Sequence, residues 1–198
     1  MNKTRIAVLV SGGGTNLQAI LDAQGSIIHS GEVVLVVSNQ ENAYALIRAE
    51  NKGVKTAVIT KKAYKERFEE ELIRVLKEND IGLIVLAGFL SILSEDFTRR
   101  FDHRIINIHP SLIPSFCGAG YYGLRVHEAA LRKGVKITGA TVHFVNEIPD
   151  GGEIILQKAV EVKDGDTPEI LQRRVMEEAE WVILPQAVEM IASKILKA

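Results

Sequence analysis

Three side chains in the second half of the sequence have the types that acyl chemistry needs: Asn107, His109 and Asp150. The first two lie in Ile105-Ile106-Asn107-Ile108-His109-Pro110-Ser111-Leu112-Ile113-Pro114-Ser115-Phe116. The apolar run predicts a strand, and side chains alternate faces along a strand. Asn107 and His109 therefore project to one side, Ile106 and Ile108 to the other. Pro110 has no N–H and takes the chain out of strand pairing. An amide and an imidazole thus converge at a strand's carboxyl end. Asp150 follows in Thr141-Val142-His143-Phe144-Val145-Asn146-Glu147-Ile148-Pro149-Asp150-Gly151-Gly152, where two glycines permit a tight turn that aims a carboxylate into a cleft. Together the three offer an oxyanion donor, an acid and a charge partner, which suits acyl transfer without a covalent intermediate.

A second feature is Ser11-Gly12-Gly13-Gly14-Thr15-Asn16, between a predicted strand and a predicted helix. Glycines there let the backbone approach a ligand, and the helix start presents free N–H groups and a positive dipole end to an anion. The dinucleotide pattern fails twice: Leu17 replaces its third glycine, and the second strand ends in Ser38-Asn39 rather than in an acid. No Walker lysine follows. A phosphomonoester site and a plain tight turn remain.

Other candidates read as structural. His143 is a strand residue with a locally satisfied ring, His127 stands at a helix start, and His29 and His103 lie in polar turns. Cys117 has no partner motif for a nucleophile and reads as a loop residue near the site. No His/Cys/Asp set has ligand spacing, so no metal is expected.

The elements that position these residues alternate. Strands are predicted over 5–10, 33–38, 56–60, 81–87, 104–109, 136–145 and 153–162, and helices over 15–27, 42–51, 63–79, 94–101 and 126–133. A last helix is capped by Thr167, opened by Pro168 and bent before Pro185. This predicts an α/β fold: a mostly parallel, twisted sheet of about seven strands flanked by helices, the last strands antiparallel. Ligands of such sheets sit at the carboxyl ends of strands near a topological switch point.

With 198 residues and 46% hydrophobic content, one domain over 1–198 is expected, with a sizeable core. One cysteine excludes an internal disulfide and fits a reducing, cytoplasmic setting. A formal net charge of -1 makes no case for a nucleic-acid or membrane partner. Lys3 and Arg5 precede an apolar run of only Ile6 to Val10, so no signal peptide is expected, and no stretch approaches a membrane span.

The motifs Ser11-Gly12-Gly13-Gly14-Thr15-Asn16-Leu17, Leu86-Ala87-Gly88-Phe89-Leu90, Asn107-Ile108-His109-Pro110-Ser111-Leu112-Ile113-Pro114 and His143-Phe144-Val145 with Asp150-Gly151-Gly152 resemble, in order and over essentially the whole chain, the phosphoribosylglycinamide formyltransferases of the folate-dependent formyltransferase family. The resemblance implies a Rossmann-like formyltransferase domain, with a phosphate-binding half over 1–100 and a folate and catalytic half over 101–198. It implies formyl transfer from 10-formyltetrahydrofolate, as co-substrate, to the amine of glycinamide ribonucleotide in purine synthesis. Asn107, His109 and Asp150 match the catalytic trio. Gly12, Gly13, Gly14, Thr15 and Asn16 match the ribonucleotide's phosphate loop, and Glu180 the residue holding its ribose. Leu90, Ser91, Ile92 and Leu93, with Asn107, Asn146, Glu147, Ile148, Pro149 and Asp150, match the folate pocket, and Lys65 the contact to its glutamate tail. A monomer or weak homodimer is expected.

The sequence departs from the family pattern in three places. Phe116-Cys117-Gly118-Ala119-Gly120-Tyr121-Tyr122-Gly123-Leu124-Arg125-Val126-His127 is longer than the usual Pro-Gly-x-His-x-His stretch and keeps only its second histidine. Ser91 replaces an arginine, and Arg174 to Glu180 is one residue longer than usual. Two relatives share the trio: formyltetrahydrofolate deformylase, which carries an N-terminal regulatory domain, and methionyl-tRNA formyltransferase, which carries a C-terminal tRNA domain. A first strand beginning by Arg5 and a last helix closing the sequence set the expectation against both. A non-catalytic phosphosugar-binding module is the rival from another class.

Overall fold

In the computed structural model, which describes residues 3–197, β1 (Thr4–Val10) is buried almost throughout, and its two faces feed two different cores. Ile6, Val8 and Val10 point into one cluster, Ala7 and Leu9 into the other. An apolar strand without polar alternation has to be covered on both faces. Helices α1 (Thr15–Ala23), α2 (Tyr44–Asn51), α6 (Leu124–Lys133), α7 (Pro168–Val175) and α8 (Trp181–Leu196) contribute to the first cluster. Helices α4 (Phe68–Glu78) and α5 (Glu95–Arg100) cover the second through Phe68, Leu72, Leu76 and Phe97.

The remaining strands are β2 (Gly31–Ser38), β3 (Lys55–Val58), β4 (Leu83–Leu86), β5 (Ile105–His109), β6 (Ile137–Phe144) and β7 (Ile154–Glu161). The sheet order is β3-β2-β1-β4-β5-β6-β7. β1 pairs in parallel with β2 and β4, β2 with β3, and β4 with β5. β6 runs antiparallel to β5, and β7 to β6. This is the expected mixed sheet. The chain winds outward from β1 through β2 to β3, then returns to β4 on the other side, so the switch point falls between β1 and β4. There the two carboxyl ends are tied together: Ser11 N–H donates to the Gly88 carbonyl at 3.1 Å and Leu90 N–H to Ser11 Oγ at 2.8 Å.

Several helix boundaries differ from the expected ones. The first helix ends at Ala23, not Ile27, because Gly25 turns the chain at φ 82°. The expected helix over 63–79 is broken. A short helix, α3 (Lys61–Tyr64), is capped by Thr60, whose hydroxyl accepts from Ala63 N–H. Lys65 then takes φ 49° and opens a single 3₁₀ turn before α4. The last helical region changes type well before Pro185. Met176–Glu180 forms a π-helical turn between α7 and α8, and Pro185 sits inside the regular part of α8. A π turn takes in an extra residue without breaking the helix.

Candidate functional site

β5 places Asn107 and His109 on the face of Ile105, while Ile106 and Ile108 enter the opposite core. The antiparallel register sets His143 of β6 directly across from Asn107. The loop between β6 and β7 folds back over that same face and carries Asp150 at φ 57°, a left-handed conformation that Asp tolerates better than most residues. Gly152 allows the loop to close: a Cβ there would lie 1.8 Å from the Phe144 carbonyl oxygen.

Four side chains then meet. Asp150 Oδ2 lies 3.4 Å from His109 Nδ1, and Asp150 Oδ1 lies 3.5 Å from His143 Nε2. Asn107 Nδ2 lies 3.1 Å from His143 Nε2, and His143 Nδ1 lies 2.7 Å from the Phe144 carbonyl. These bonds select a tautomer for neutral His143, with Nδ1–H donating and Nε2 accepting from the Asn107 amide. Protonation at Nε2 would turn that nitrogen to Asp150. His109 Nε2–H donates to the Phe116 carbonyl at 2.9 Å, and Gly118 N–H donates to Asp150 Oδ2 at 2.8 Å. The loop that carries Cys117 is thus pinned against both His109 and Asp150.

Electrostatics follow from this packing. His109 is only 4% exposed. Burial pulls its pKa below the ordinary value, and although the Asp150 charge and the Phe116 carbonyl push it up, burial prevails. The help expected from Asp150 is present but smaller than the desolvation it opposes. Burial pushes Asp150 up, yet its contacts with His143, His109 and Gly118 hold the carboxylate below its usual range. Cys117 is raised by burial and by the Asp150 charge, so its thiol is the unreactive form.

His143, which reads as structural in the sequence, takes part; its place depends on strand pairing, which Asn107 and His143 do not announce in sequence. His127 lies within α6 rather than at its start. It is fully buried, both ring nitrogens lack a partner among the described residues, and burial with His109 nearby takes its pKa to about 4. His29 and His103 are exposed in turns. Among the described residues no group of three or more His, Cys, Asp or Glu side chains is arranged to hold a metal ion.

Beside the cluster runs a narrow cleft of about 120 Å³. Ser91, Ile92, Leu93, Asn107, Asn146, Glu147, Ile148, Pro149 and Asp150 all line it, with Leu86, Phe89, His143 and Val145. Leu90 lies outside it, lining an adjoining cleft of about 860 Å³ that also contains Ser91, Gly12, Gly13, Lys61 and Lys62. Asn39 Nδ2 donates to Ser91 Oγ at 2.9 Å and ties the two clefts to the end of β2. Lys65 is exposed and lines neither; the break in the helix leaves Lys61 and Lys62 facing the larger cleft instead.

The glycine loop completes the region. Gly14, at φ 73°, starts α1 without a side-chain cap, and a Cβ there would lie 2.6 Å from that of Ala45. The N–H groups of Gly12, Gly13 and Gly14 have no acceptor among the described residues. Asn16 Nδ2 donates to Glu180 Oε2 at 2.5 Å, linking α1 to the π turn. Burial lifts Glu180 to about 7 against the stabilising Asn16 amide. The expected phosphate-binding and catalytic halves share both places, since Glu180 meets Asn16 beside the glycine loop and Leu86, Phe89, Ser91, Ile92 and Leu93 line the cleft beside Asn107.

The chain as a whole is similar to known proteins. Residues 4–188 match the family described as formyl transferase. A phosphoribosylglycinamide formyltransferase of Haemophilus influenzae is 40% identical over 191 residues, covering 93% of this chain and 85% of that protein. The trifunctional purine biosynthetic protein adenosine-3 of Gallus gallus is 47% identical over 97% of this chain, which spans only 19% of that larger protein. The crystal structure of glycinamide ribonucleotide transformylase 1 from Symbiobacterium toebii superimposes with a TM-score of 0.90 at 42% identity, covering 97% of this chain and 89% of the other. The chain belongs to the formyl transferase family.

Proposed function

We propose that this chain transfers the formyl group of 10-formyltetrahydrofolate to the primary amine of glycinamide ribonucleotide, a step of purine synthesis. One observation carries the reading: Asn107, His109 and Asp150 converge at an apolar-walled cleft, at the same pole of the sheet as a glycine loop with unclaimed N–H groups. The loop suits the acceptor's phosphate. Leu86, Phe89, Ile92, Leu93 and Ile148 give the cleft walls for the donor's flat ring. The donor's carboxylate tail falls to Lys61 and Lys62 rather than to Lys65. The relatives' names support the same acceptor. A cytoplasmic setting and a monomer or weak homodimer go with this reading.

The neutral amine attacks the formyl carbon and a C–N bond forms. The resulting oxyanion accepts from the Asn107 amide and from His109 Nε2–H, taking the bond that the Phe116 carbonyl holds at 2.9 Å. On collapse the bond to the folate nitrogen breaks, and His109 protonates that nitrogen. The amine's surplus proton passes to Asp150 through water, and Asp150 returns a proton to His109, which it faces at 3.4 Å, so that in sum one proton moves from acceptor to donor nitrogen and both side chains are restored. Preorganised donors at a buried oxyanion are the largest lever available to such a site. His143 holds the Asn107 amide and the Asp150 carboxylate in place.

The test supplies 10-formyltetrahydrofolate with glycinamide ribonucleotide, water and tRNA as competing acceptors. Formyl should appear on the ribonucleotide alone. Formate released at the same rate without it would make the protein a deformylase, and binding without transfer would make it a phosphosugar module.

A further inference from the structure

Two of the glycine loop's peptide groups are held from behind. Ala45 N–H, in the first turn of α2, donates to the Gly12 carbonyl at 3.1 Å. One turn on, Arg48 Nε donates to the Gly13 carbonyl at 2.8 Å, and its NH1 donates to Gln18 Oε1 of α1 at 3.1 Å. The guanidinium is braced over the Tyr44 ring, 5.0 Å from its centroid, and the Arg48 stem packs against Gly14, whose hypothetical Cβ would meet Arg48 Cδ at 3.4 Å.

A trans peptide is planar, with its C=O and N–H pointing in opposite directions. Anchoring the Gly12 carbonyl to α2 turns the Gly13 N–H away from α2, and anchoring the Gly13 carbonyl does the same for the Gly14 N–H. Glycine peptides are the least constrained in the chain, so without an anchor these two groups would sample many directions. Gly12 and Gly13 gain no order from neighbours on the other side, since a Cβ at either would meet nothing within 4 Å. The Ala45 bond is made by the helix backbone and comes with the fold; the Arg48 bond depends on one side chain.

We infer that Arg48 is a positioning residue for acceptor recognition: through the Gly13 carbonyl it fixes the peptide plane that presents the Gly14 N–H to the acceptor's phosphate. This rests on the phosphate reading of the loop. A guanidinium at this place offers charge as well as geometry, and the two are separable. Arg48→Met keeps the stem against Gly14 and removes both. Arg48→Lys keeps a cation but has no Nε–H in the plane that meets Gly13.

The experiment measures KM and kcat for glycinamide ribonucleotide and for its 5′-dephosphorylated counterpart in the full-length protein and both variants, with circular dichroism to check folding. Both variants should raise KM for the phosphorylated acceptor about ten-fold, the scale of one hydrogen bond serving a charged group. The loss should fall on KM rather than kcat, and KM for the dephosphorylated acceptor should not follow. Wild-type KM in Arg48→Lys would show that charge alone matters and overturn the inference, as would wild-type KM in both variants. A fall in kcat of the same size would place Arg48 in general folding of the site and overturn it too. Should Arg48→Met fail to fold, Arg48→Lys carries the test alone. If the wild type itself does not distinguish the two acceptors, the phosphate reading fails first, and that outcome is recognisable before any variant is made.

Discussion

The glycine loop and the Asn107–His109–Asp150 cluster lie at the same pole of the sheet and are built from opposite materials. The loop is backbone: three glycines, N–H groups with no acceptor among the described residues, and carbonyls held from behind. The cluster is side chain: His109 and His143 are buried, and their ring nitrogens already meet a carbonyl, an amide or a carboxylate. The loop is open to a ligand and offers it backbone groups rather than side-chain chemistry. The cluster holds its chemistry in a network that a substrate must partly displace. Damage to the loop should therefore appear as weaker acceptor binding, and damage to the cluster as slower turnover.

The largest expected effect is in the cluster. His109→Ala removes the acid and one oxyanion donor, and should lower kcat by roughly a hundred-fold or more while KM changes far less. Near-wild-type turnover in a folded His109→Ala protein would break the assignment and, with it, the contrast between the two regions.

Asp150→Asn comes next. It keeps the side chain's shape and its bond from Gly118 but removes the charge that props up the His109 pKa. That pKa already lies below the ordinary value because burial prevails. Without Asp150, His109 should lose its proton at still lower pH, leaving less imidazolium at neutral pH. Remaining activity should move toward acid, but full turnover should not return, because the amine's proton has lost its route. NMR titration of His109 and the pH–rate profiles decide the matter; an unchanged His109 pKa removes Asp150 from this role.

In the loop, Gly13→Val adds a side chain where nothing lies within 4 Å and φ is not in the left-handed region, so the fold should survive. KM for the phosphorylated acceptor should rise about ten-fold or more, for want of the phosphate's hydrogen bonds. Gly14→Val is the harsher variant, since φ 73° and the Ala45 methyl add strain of their own. Equal KM in Gly13→Val and the wild type would reduce the loop to a turn.

The two regions are also unequally legible in sequence. A strand's period of two is enough to put Asn107 and His109 on one face, and the opposite cores reached by Ile105 and by Ile106 and Ile108 match that alternation. The sheet's class follows from buried apolar runs separated by helical ones. What escapes is whatever depends on pairing between distant segments. His143 meets Asn107 only because β6 runs antiparallel to β5 in that register. Glu180 meets Asn16 across the whole fold, through a π turn that no local pattern specifies. Lys61 and Lys62 face the large cleft because Thr60 caps a short helix and Lys65 breaks it. The expected strand over 56–60 hides that cap, and nothing in the sequence pattern marks the positive φ at Lys65.

The smallest effect concerns the joint between loop and last helix, and it separates binding from stability. Glu180 is 6% exposed, and burial raises its pKa to about 7. An unfolded chain gives a glutamate near ~4.3. The folded protein therefore binds the extra proton between those values. The stability this contributes is complete below the unfolded pKa, declines as pH rises through the folded one, and is gone above it. Glu180→Gln keeps an oxygen to accept from Asn16 Nδ2 and cannot ionise. From pH 5 to pH 8 the wild type should lose more unfolding free energy than the variant, by on the order of 1–3 kcal/mol. Other titrating groups cancel in that difference, and urea midpoints at the two pH values measure it. If the two proteins lose stability in parallel, Glu180 is ionised throughout and the Asn16 amide outweighs burial. Glu180→Gln should also raise acceptor KM modestly, because a neutral oxygen accepts from a ribose hydroxyl less strongly than a carboxylate does. That loss should shrink as the wild type is itself taken below pH 7, where its own Glu180 becomes neutral.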